Sequence, residues 1–284
     1  MPINRNGASM GVEYLYSHFH IEELKSLHLR TISQVATLKF MQALSRTRTL
    51  SVDVFSYFDY KQIKDFAESQ SFAYDKLRVL TVGSTIDCFG FMKGRDYLVL
   101  RFGAGIPNFL GGLSAVSPEC SREGAGGRFF IFNADYDHIQ PLPKNCYFNF
   151  HWSGQYSPTK LPIPQEIFIG GVSTVRGFPL AVALGDSGYF TNFEFVVPPP
   201  GFGDKKFFKT NKKWKDIIQL DAFLDNGGTF LHEGKTTVLW GTGVGLRVNG
   251  PYRFNLAVDV GFPLNHRDLT NAAFYYLKIT GQPF

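Results

Sequence analysis

Arg176 stands in Val175-Arg176-Gly177-Phe178, within a polar, glycine-rich stretch from Gln165 to Pro200. That stretch opens on Gly170 and Gly171 and later passes Gly185-Asp186-Ser187-Gly188. It is too rich in glycine for a helix and too long for a hairpin turn, so it reads as a long loop carrying a cation. A guanidinium at such a tip grips anions, because its planar donors match carboxylates in pairs. The strands that follow supply candidates. Along 188–197, Asn192, Glu194 and Val196 share a face opposite Tyr189, Phe193, Phe195 and Val197. Along 216–225, Gln219, Asp221, Phe223 and Asp225 oppose Ile218, Leu220, Ala222 and Leu224. Glu194 and Asp225 thus point the same way from neighbouring strands, and a loop folded over that face brings Arg176 to both. Gly177 and the pair Gly170–Gly171 permit the tight backbone this needs. The same spacing also allows an exposed Arg176 with both carboxylates in water.

Other chemistry-bearing patterns fail on spacing or context. Gly234-Lys235-Thr236 lacks the upstream glycine of a phosphate loop, since Gly228 lies one residue too far, and a strand follows instead of a helix. Gly241, Gly243 and Gly245 recur at period two inside a strand, which keeps one face small and does not cradle a dinucleotide. The seven histidines (18, 20, 28, 138, 151, 232 and 266) form no HxxxH or HExxH pair. Ser173 lies outside a GxSxG elbow. Cys88, Cys120 and Cys146 match no zinc or redox spacing. No catalytic constellation emerges, and neither cofactor nor metal is expected.

The elements that must position Arg176 are strands. Across 284 residues the hydrophobic content is 44%, and the 16% aromatic content suits strands or lipid-facing girdles. Period-two alternation predicts twelve strands: Ala8–His18, Leu29–Leu44, Thr49–Tyr60, Lys76–Phe91, Arg95–Ile106, Arg128–Gln140, Asn145–Tyr156, Gly188–Val197, Asp216–Asp225, Thr236–Asn249, Tyr252–Phe262 and Ala272–Gln282. Short helical turns are expected only at Glu22–Leu29 and Gln62–Glu68. The clearest alternation sets Phe254, Leu256, Val258, Val260 and Phe262 against Arg253, Asn255, Ala257, Asp259 and Gly261. No run of eighteen apolar residues marks a transmembrane helix. A dozen strands of about ten residues, rich in aromatics, fit a closed transmembrane barrel better than a soluble sandwich. The connections agree: Ser45–Arg48, Met92–Gly94, Pro141–Lys144 and Gly250–Pro251 are tight. His20–His28, Lys61–Asp75, Pro107–Gly127, the Val175–Phe178 loop, Asn226–Lys235 and Pro263–Asn271 are long. Pro198–Lys213 breaks this alternation, being long on the short-turn side. The net charge of +5 comes with no basic run interleaved with stacking aromatics, so nucleic acid is not expected. Residues 1–17 hold no signal-peptide pattern, so a chain destined for an outer membrane is expected to lack its front end.

The ordered run Ile169-Gly170-Gly171-Val172-Ser173-Thr174-Val175-Arg176-Gly177-Phe178, then Leu184-Gly185-Asp186-Ser187-Gly188-Tyr189, then Phe223-Leu224-Asp225-Asn226-Gly227, resembles the two-partner secretion translocators. These are the haemolysin-activator and filamentous-haemagglutinin transporter barrels, relatives of the outer-membrane barrel insertase. Phe129–Pro143, Gly154-Gln155 and Ser45–Leu50 extend the likeness over most of the chain. The resemblance implies an all-β fold, an antiparallel transmembrane β-barrel with about twelve of sixteen strands present and the long loop inserted in the lumen. Residues 1–284 would be its C-terminal part, without the first strands and the POTRA domains. It further implies a non-enzymatic outer-membrane protein of a diderm bacterium that secretes an unfolded exoprotein through its barrel (type V, two-partner secretion). Outer-membrane lipid, the barrel assembly machinery and periplasmic chaperones would be its other partners. Arg176 is similar to the family's loop arginine, Asp225 to the carboxylate that pairs with it, and Glu194 to a lumen position approaching both. Phe284 is similar to a terminal insertion signal, though it falls off the face of Tyr275, Leu277 and Ile279. A barrel insertase, a passive porin, a soluble β-rich binding module and a truncated remnant are the alternative readings.

Overall fold

The computed structural model describes residues 7–20, 30–67, 70–208, 212–250, 254–266 and 273–281. Fourteen strands are found among them: β1 (Ser9–His20), β2 (Arg30–Arg46), β3 (Leu50–Ala67), β4 (Gln70–Phe89), β5 (Arg95–Gly105), β6 (Phe130–Pro141), β7 (Tyr147–Tyr156), β8 (Ile167–Ile169), β9 (Ala183–Gly185), β10 (Ser187–Val197), β11 (Ile218–Phe230), β12 (Thr237–Asn249), β13 (Asn255–Pro263) and β14 (Phe274–Thr280). Twelve build one antiparallel sheet in chain order, with β8 and β9 set aside as a separate pair inside the long loop. Seven strands precede that loop and five follow it. The fold is the all-β, antiparallel barrel type expected from the alternation.

Two-sided burial explains the faces. Leaving the sheet outward are Val12, Tyr14, Leu80, Phe193, Phe195, Tyr275, Leu277 and Ile279, all exposed apolar side chains. Facing the lumen are Asp221, Phe223, Asp225 and Asp259, all buried. A sheet whose outside is apolar and whose inside is charged is a barrel wall, since the hydrocarbon solvates the first set and the lumen the second.

The sequence reading needs correction at four places. First, the described strands form an open sheet, not a closed cylinder: β1 pairs only with β2 and β14 only with β13. The expectation of about twelve strands out of sixteen already leaves two such edges, since a barrel closes only when its first and last strands pair. Second, within the expected helical turn Gln62–Glu68 and loop Lys61–Asp75, the described residues 61–67 and 70–75 are strand. β3 runs to Ala67 and β4 begins at Gln70. With 17, 18 and 20 residues, β2, β3 and β4 are far longer than the nine to eleven a tilted strand needs to cross a bilayer. The excess forms a ribbon on the long-loop side, where Ala73, Asp75 and Leu77 of β4 are buried but polar side chains break the apolar alternation. Tyr74 Oη donating to Gln62 (2.9 Å) and Lys64 over the Tyr74 ring hold it instead. Third, β11 continues through Gly227 and Gly228 to Phe230, residues whose composition reads as a turn. Fourth, the loop contains the short pair β8–β9. The expected turn at Glu22–Leu29 lies outside the described residues, as do Arg253 and Phe284.

Two loops fold inward. Residues 106–129 bring Leu113, Cys120, Ala125 and Phe129 against Leu77, Val79, Ile131 and Leu161. The tip of the loop between β7 and β10 packs Ile169, Val175 and Phe178 on Leu239.

Candidate functional site

The loop enters the lumen because β8 and β9 zip its two arms into a hairpin, Ile167 opposite Gly185 and Ile169 opposite Ala183. Gly170 and Gly171 turn the chain with φ of 105° and 97°, a region L side chains avoid. Thr174 Oγ1 donates to the Gly170 carbonyl at 3.0 Å, closing the turn. Val175 and Phe178 then flank the tip as fully buried apolar anchors.

Between them lies Arg176, its side chain 4% exposed. Nε donates to Asp225 Oδ2 at 2.7 Å and Nη2 to Asp225 Oδ1 at 2.9 Å, a bidentate pair. The Arg176 backbone N–H also donates to Asp225 Oδ2 at 3.0 Å. Nη1 donates to Glu194 Oε1 at 2.7 Å. The guanidinium carbon stands 3.5 Å from the centre of the Phe223 ring, a cation–π contact that covers one face of the charge. The structure thus brings Arg176, Glu194, Phe223 and Asp225 together in the lumen.

Glycines on the wall make room for this. A Cβ at Gly241 would overlap the Arg176 carbonyl oxygen, and one at Gly261 would reach 2.6 Å from the Gly177 nitrogen. A Cβ at Gly227 would lie 2.9 Å from Val175 Cγ2. Gly227 of β11, Gly241 of β12 and Gly261 of β13 are therefore the seat of the loop tip, while Gly243 leaves room for the Phe223 ring and Gly245 for the Asp221 and Asp259 carboxylates. Gly188 is likewise tight against the Gly228 carbonyl.

Sequence reasoning missed several members of the site. Tyr276 on β14 accepts from Gly177 N–H and donates to the Phe178 carbonyl, each at 3.0 Å, so the final described strand clasps the tip. Asn192 Nδ2 donates to the Thr174 carbonyl at 2.6 Å. Arg247 on β12 forms ion pairs with Asp259, with Asp221 at 3.3 Å and with Glu194 at 3.7 Å. Asp259 also lies 3.8 Å from Arg176. Two cations thus face four carboxylates along β10–β13. The period-two placement of Asp259 and Arg247 on the lumen face was the signal that could have found them.

Asp186 and Gly185 lie elsewhere, at the mouth. Asp186 accepts from Arg122 Nη1 (2.6 Å) and Nη2 (3.1 Å), from Leu161 N–H (2.7 Å) and from His232 N–H (2.9 Å). Arg122 also pairs with Glu166 at 2.5 Å. Three loops, 106–129, 157–187 and 231–236, are stapled at this one carboxylate. Burial opposes its charge, but Arg122 and the two N–H groups hold the Asp186 carboxyl below the usual range. Burial pushes Glu166 the other way, above that range. Arg122 escaped the sequence reading because nothing periodic marks a loop cation.

A family model of the haemolysin secretion/activation proteins ShlB/FhaC/HecB matches residues 2–248. The chain belongs to that family. The heme/hemopexin transporter protein HuxB of Haemophilus influenzae is 29% identical over 153 residues, 51% of this chain and 25% of HuxB. CdiB from Acinetobacter baumannii superposes with a TM-score of 0.73 at 18% identity, over 96% of this chain and 47% of that one. CdiB from Escherichia coli gives 0.72 at 18% identity, over 95% and 50%. BamA from Haemophilus ducreyi lacking POTRA domains 1–3 gives 0.69 at 11% identity, over 99% and 60%. These structural likenesses establish the barrel fold. This member of the ShlB/FhaC/HecB family spans about a quarter of HuxB and about half of the CdiB chains, and it is a protein of the Gram-negative outer membrane.

Proposed function

We propose that this chain is the barrel part of a two-partner secretion translocator, passing an unfolded exoprotein through the lumen without catalysis of its own. The observation that carries this reading is the buried grip of Asp225 and Glu194 on Arg176 at the tip of a loop that occupies the lumen. A loop held this way obstructs passage at rest and fixes the register of β10–β13 around it. Breaking one side of a buried ion pair costs roughly 3–5 kcal/mol, so the tip stays home until a polypeptide displaces it. Family membership supports the same function. POTRA modules upstream, the barrel assembly machinery, periplasmic chaperones and surrounding lipid complete the working unit. The test is Arg176→Ala in the full-length protein: secretion of the partner exoprotein falls to background while the barrel still inserts. Normal secretion by that variant would remove the loop from the mechanism.

The likeness to BamA favours a second reading, a barrel insertase. A full-length protein that restores assembly of other outer-membrane barrels in insertase-depleted cells would support it over secretion.

A further inference from the structure

The connection between β10 and β11, residues 198–217, breaks the rule of short turns at its end of the sheet. It carries six lysines against two aspartates, a formal +4 of the chain's +5. Pro198, Pro199 and Pro200 lead the chain out of β10, and a bridge between Lys206 and Lys213 folds it back. Phe202, Phe207, Phe208 and Trp214 gather into one knot, with ring centroids 4.7 Å apart for Phe207–Trp214 and 5.5 Å for Phe202–Trp214. Yet Phe208 remains 75% exposed and Phe202 40%.

Clustered aromatic rings left open and ringed by lysines are poorly suited to water. They match the composition of segments at a membrane interface, where amphipathic rings sit at headgroup depth and basic residues meet anionic lipid. The neighbouring sheet agrees. Phe193 and Phe195 of β10, before the turn, and Leu220 of β11, after it, leave the wall outward, and the Phe148 ring of β7 lies 6.2 Å from that of Phe193. Between this turn and the β6–β7 turn is a cavity of about 670 Å³ lined by Lys144, Asn145, Asp204, Lys205 and Lys215. Asp204 is held by Lys215 at 2.8 Å and Lys213 at 3.5 Å, which leaves Lys144 and Lys205 as the cavity's other cations.

We propose that this turn is a binding site for an anionic phospholipid of the periplasmic leaflet. The lipid phosphate lies among Lys144, Lys205 and Lys215, Asp204 and Asn145 meet the headgroup hydroxyls, and Phe202 and Phe208 rest at the acyl boundary. An acidic polypeptide would satisfy the lysines but gives no reason for open rings beside a lipid-facing band. This site is independent of whether the lumen transports anything.

The test uses the intact chain in detergent micelles, with Trp152→Phe and Trp240→Phe leaving Trp214 as the sole tryptophan. Brominated phosphatidylglycerol or brominated phosphatidylcholine is doped into the micelles and Trp214 quenching is followed. Phosphatidylglycerol should quench at a several-fold lower mole fraction, and Lys144→Gln or Lys205→Gln should each raise the half-quenching fraction about fivefold. Phe208→Ser should weaken quenching by both lipids. Equal quenching by the two lipids would overturn the proposal. So would protection of Trp214 from iodide only when an acidic unfolded polypeptide is added, which would make the turn a protein-docking surface.

Discussion

Asp225 and Glu194 both touch Arg176, but they do not hold it equally, and the difference is measurable. Asp225 is fully buried and accepts three hydrogen bonds from Arg176: from Nε, from Nη2 and from the backbone N–H. Glu194 accepts one from Arg176 and keeps 22% of its side chain exposed, with Arg247 nearby as a second partner. Charge-assisted hydrogen bonds contribute about 1.5–3 kcal/mol each, and an unpaired buried guanidinium adds to the cost of losing them. Asp225→Asn keeps the shape and removes the charge, so a loss of about 3–4 kcal/mol in the closed tip is expected. At 1.4 kcal/mol per factor of ten, this raises the open fraction by roughly 10²–10³. Glu194→Gln, being partly solvated, should cost about 1 kcal/mol, near fivefold. Hydrogen exchange by mass spectrometry on the peptide spanning 170–182 reads both directly, because the Arg176 amide is itself one of the bonds lost. Equal effects of the two substitutions, or full protection of the tip in Asp225→Asn, would refute the division of labour drawn from the geometry.

Gly241→Val should unseat the tip as Asp225→Asn does, by driving side-chain atoms into the Arg176 carbonyl, and the same exchange assay reads it. Arg122→Ala should open the mouth staple and speed thiol labelling of the buried Cys120 by about tenfold or more; burial holds that thiol up at about 12, so it is slow in the closed state. Cys88→Ser and Cys146→Ser isolate the signal. The pH response of the staple has a definite sign. Asp186 sits below its ordinary pKa, so its contribution is complete at neutral pH and lost only as pH falls through the depressed value. Glu166 sits above its own, so its charge opposes the folded state at neutral pH and that penalty is relieved first on acidification. Cys120 labelling by a disulfide reagent active in acid should therefore stay flat or fall down to about pH 4, and climb only below it.

The barrel wall was legible because its physics is periodic. Phe254 to Phe262 and Asn192 to Val196 alternate as a wall between lipid and lumen must, and the glycines at 241, 243 and 245 already marked a face kept small. The Arg176 loop was legible as a cation with two candidate acids, but spacing alone left it between lumen and water. What decides its place is the three-residue pair β8–β9 and a glycine seat spread over three strands, Gly227, Gly241 and Gly261, which no pattern within one strand reveals. The ribbon of β3 and β4 was hidden because Gln62, Lys64 and Asp65 on one strand and the buried Asp75 on the other follow no apolar pattern. Gly227 and Gly228 looked like a turn, but the small size of Gly227 serves the loop packed on it and that of Gly228 leaves room for the Tyr189 and Phe230 rings.

The central claim is that the tip must leave its seat for a polypeptide to pass, and a reversible tether tests it most directly. A Cβ built at 227 lies 2.9 Å from Val175 Cγ2, so the Cβ atoms of Val175→Cys and Gly227→Cys fall within about 4.5 Å, inside disulfide range. In full-length protein lacking its native cysteines, the oxidised pair should block exoprotein secretion and reduction should restore it. Secretion that continues with the tip locked to β11 would contradict the account.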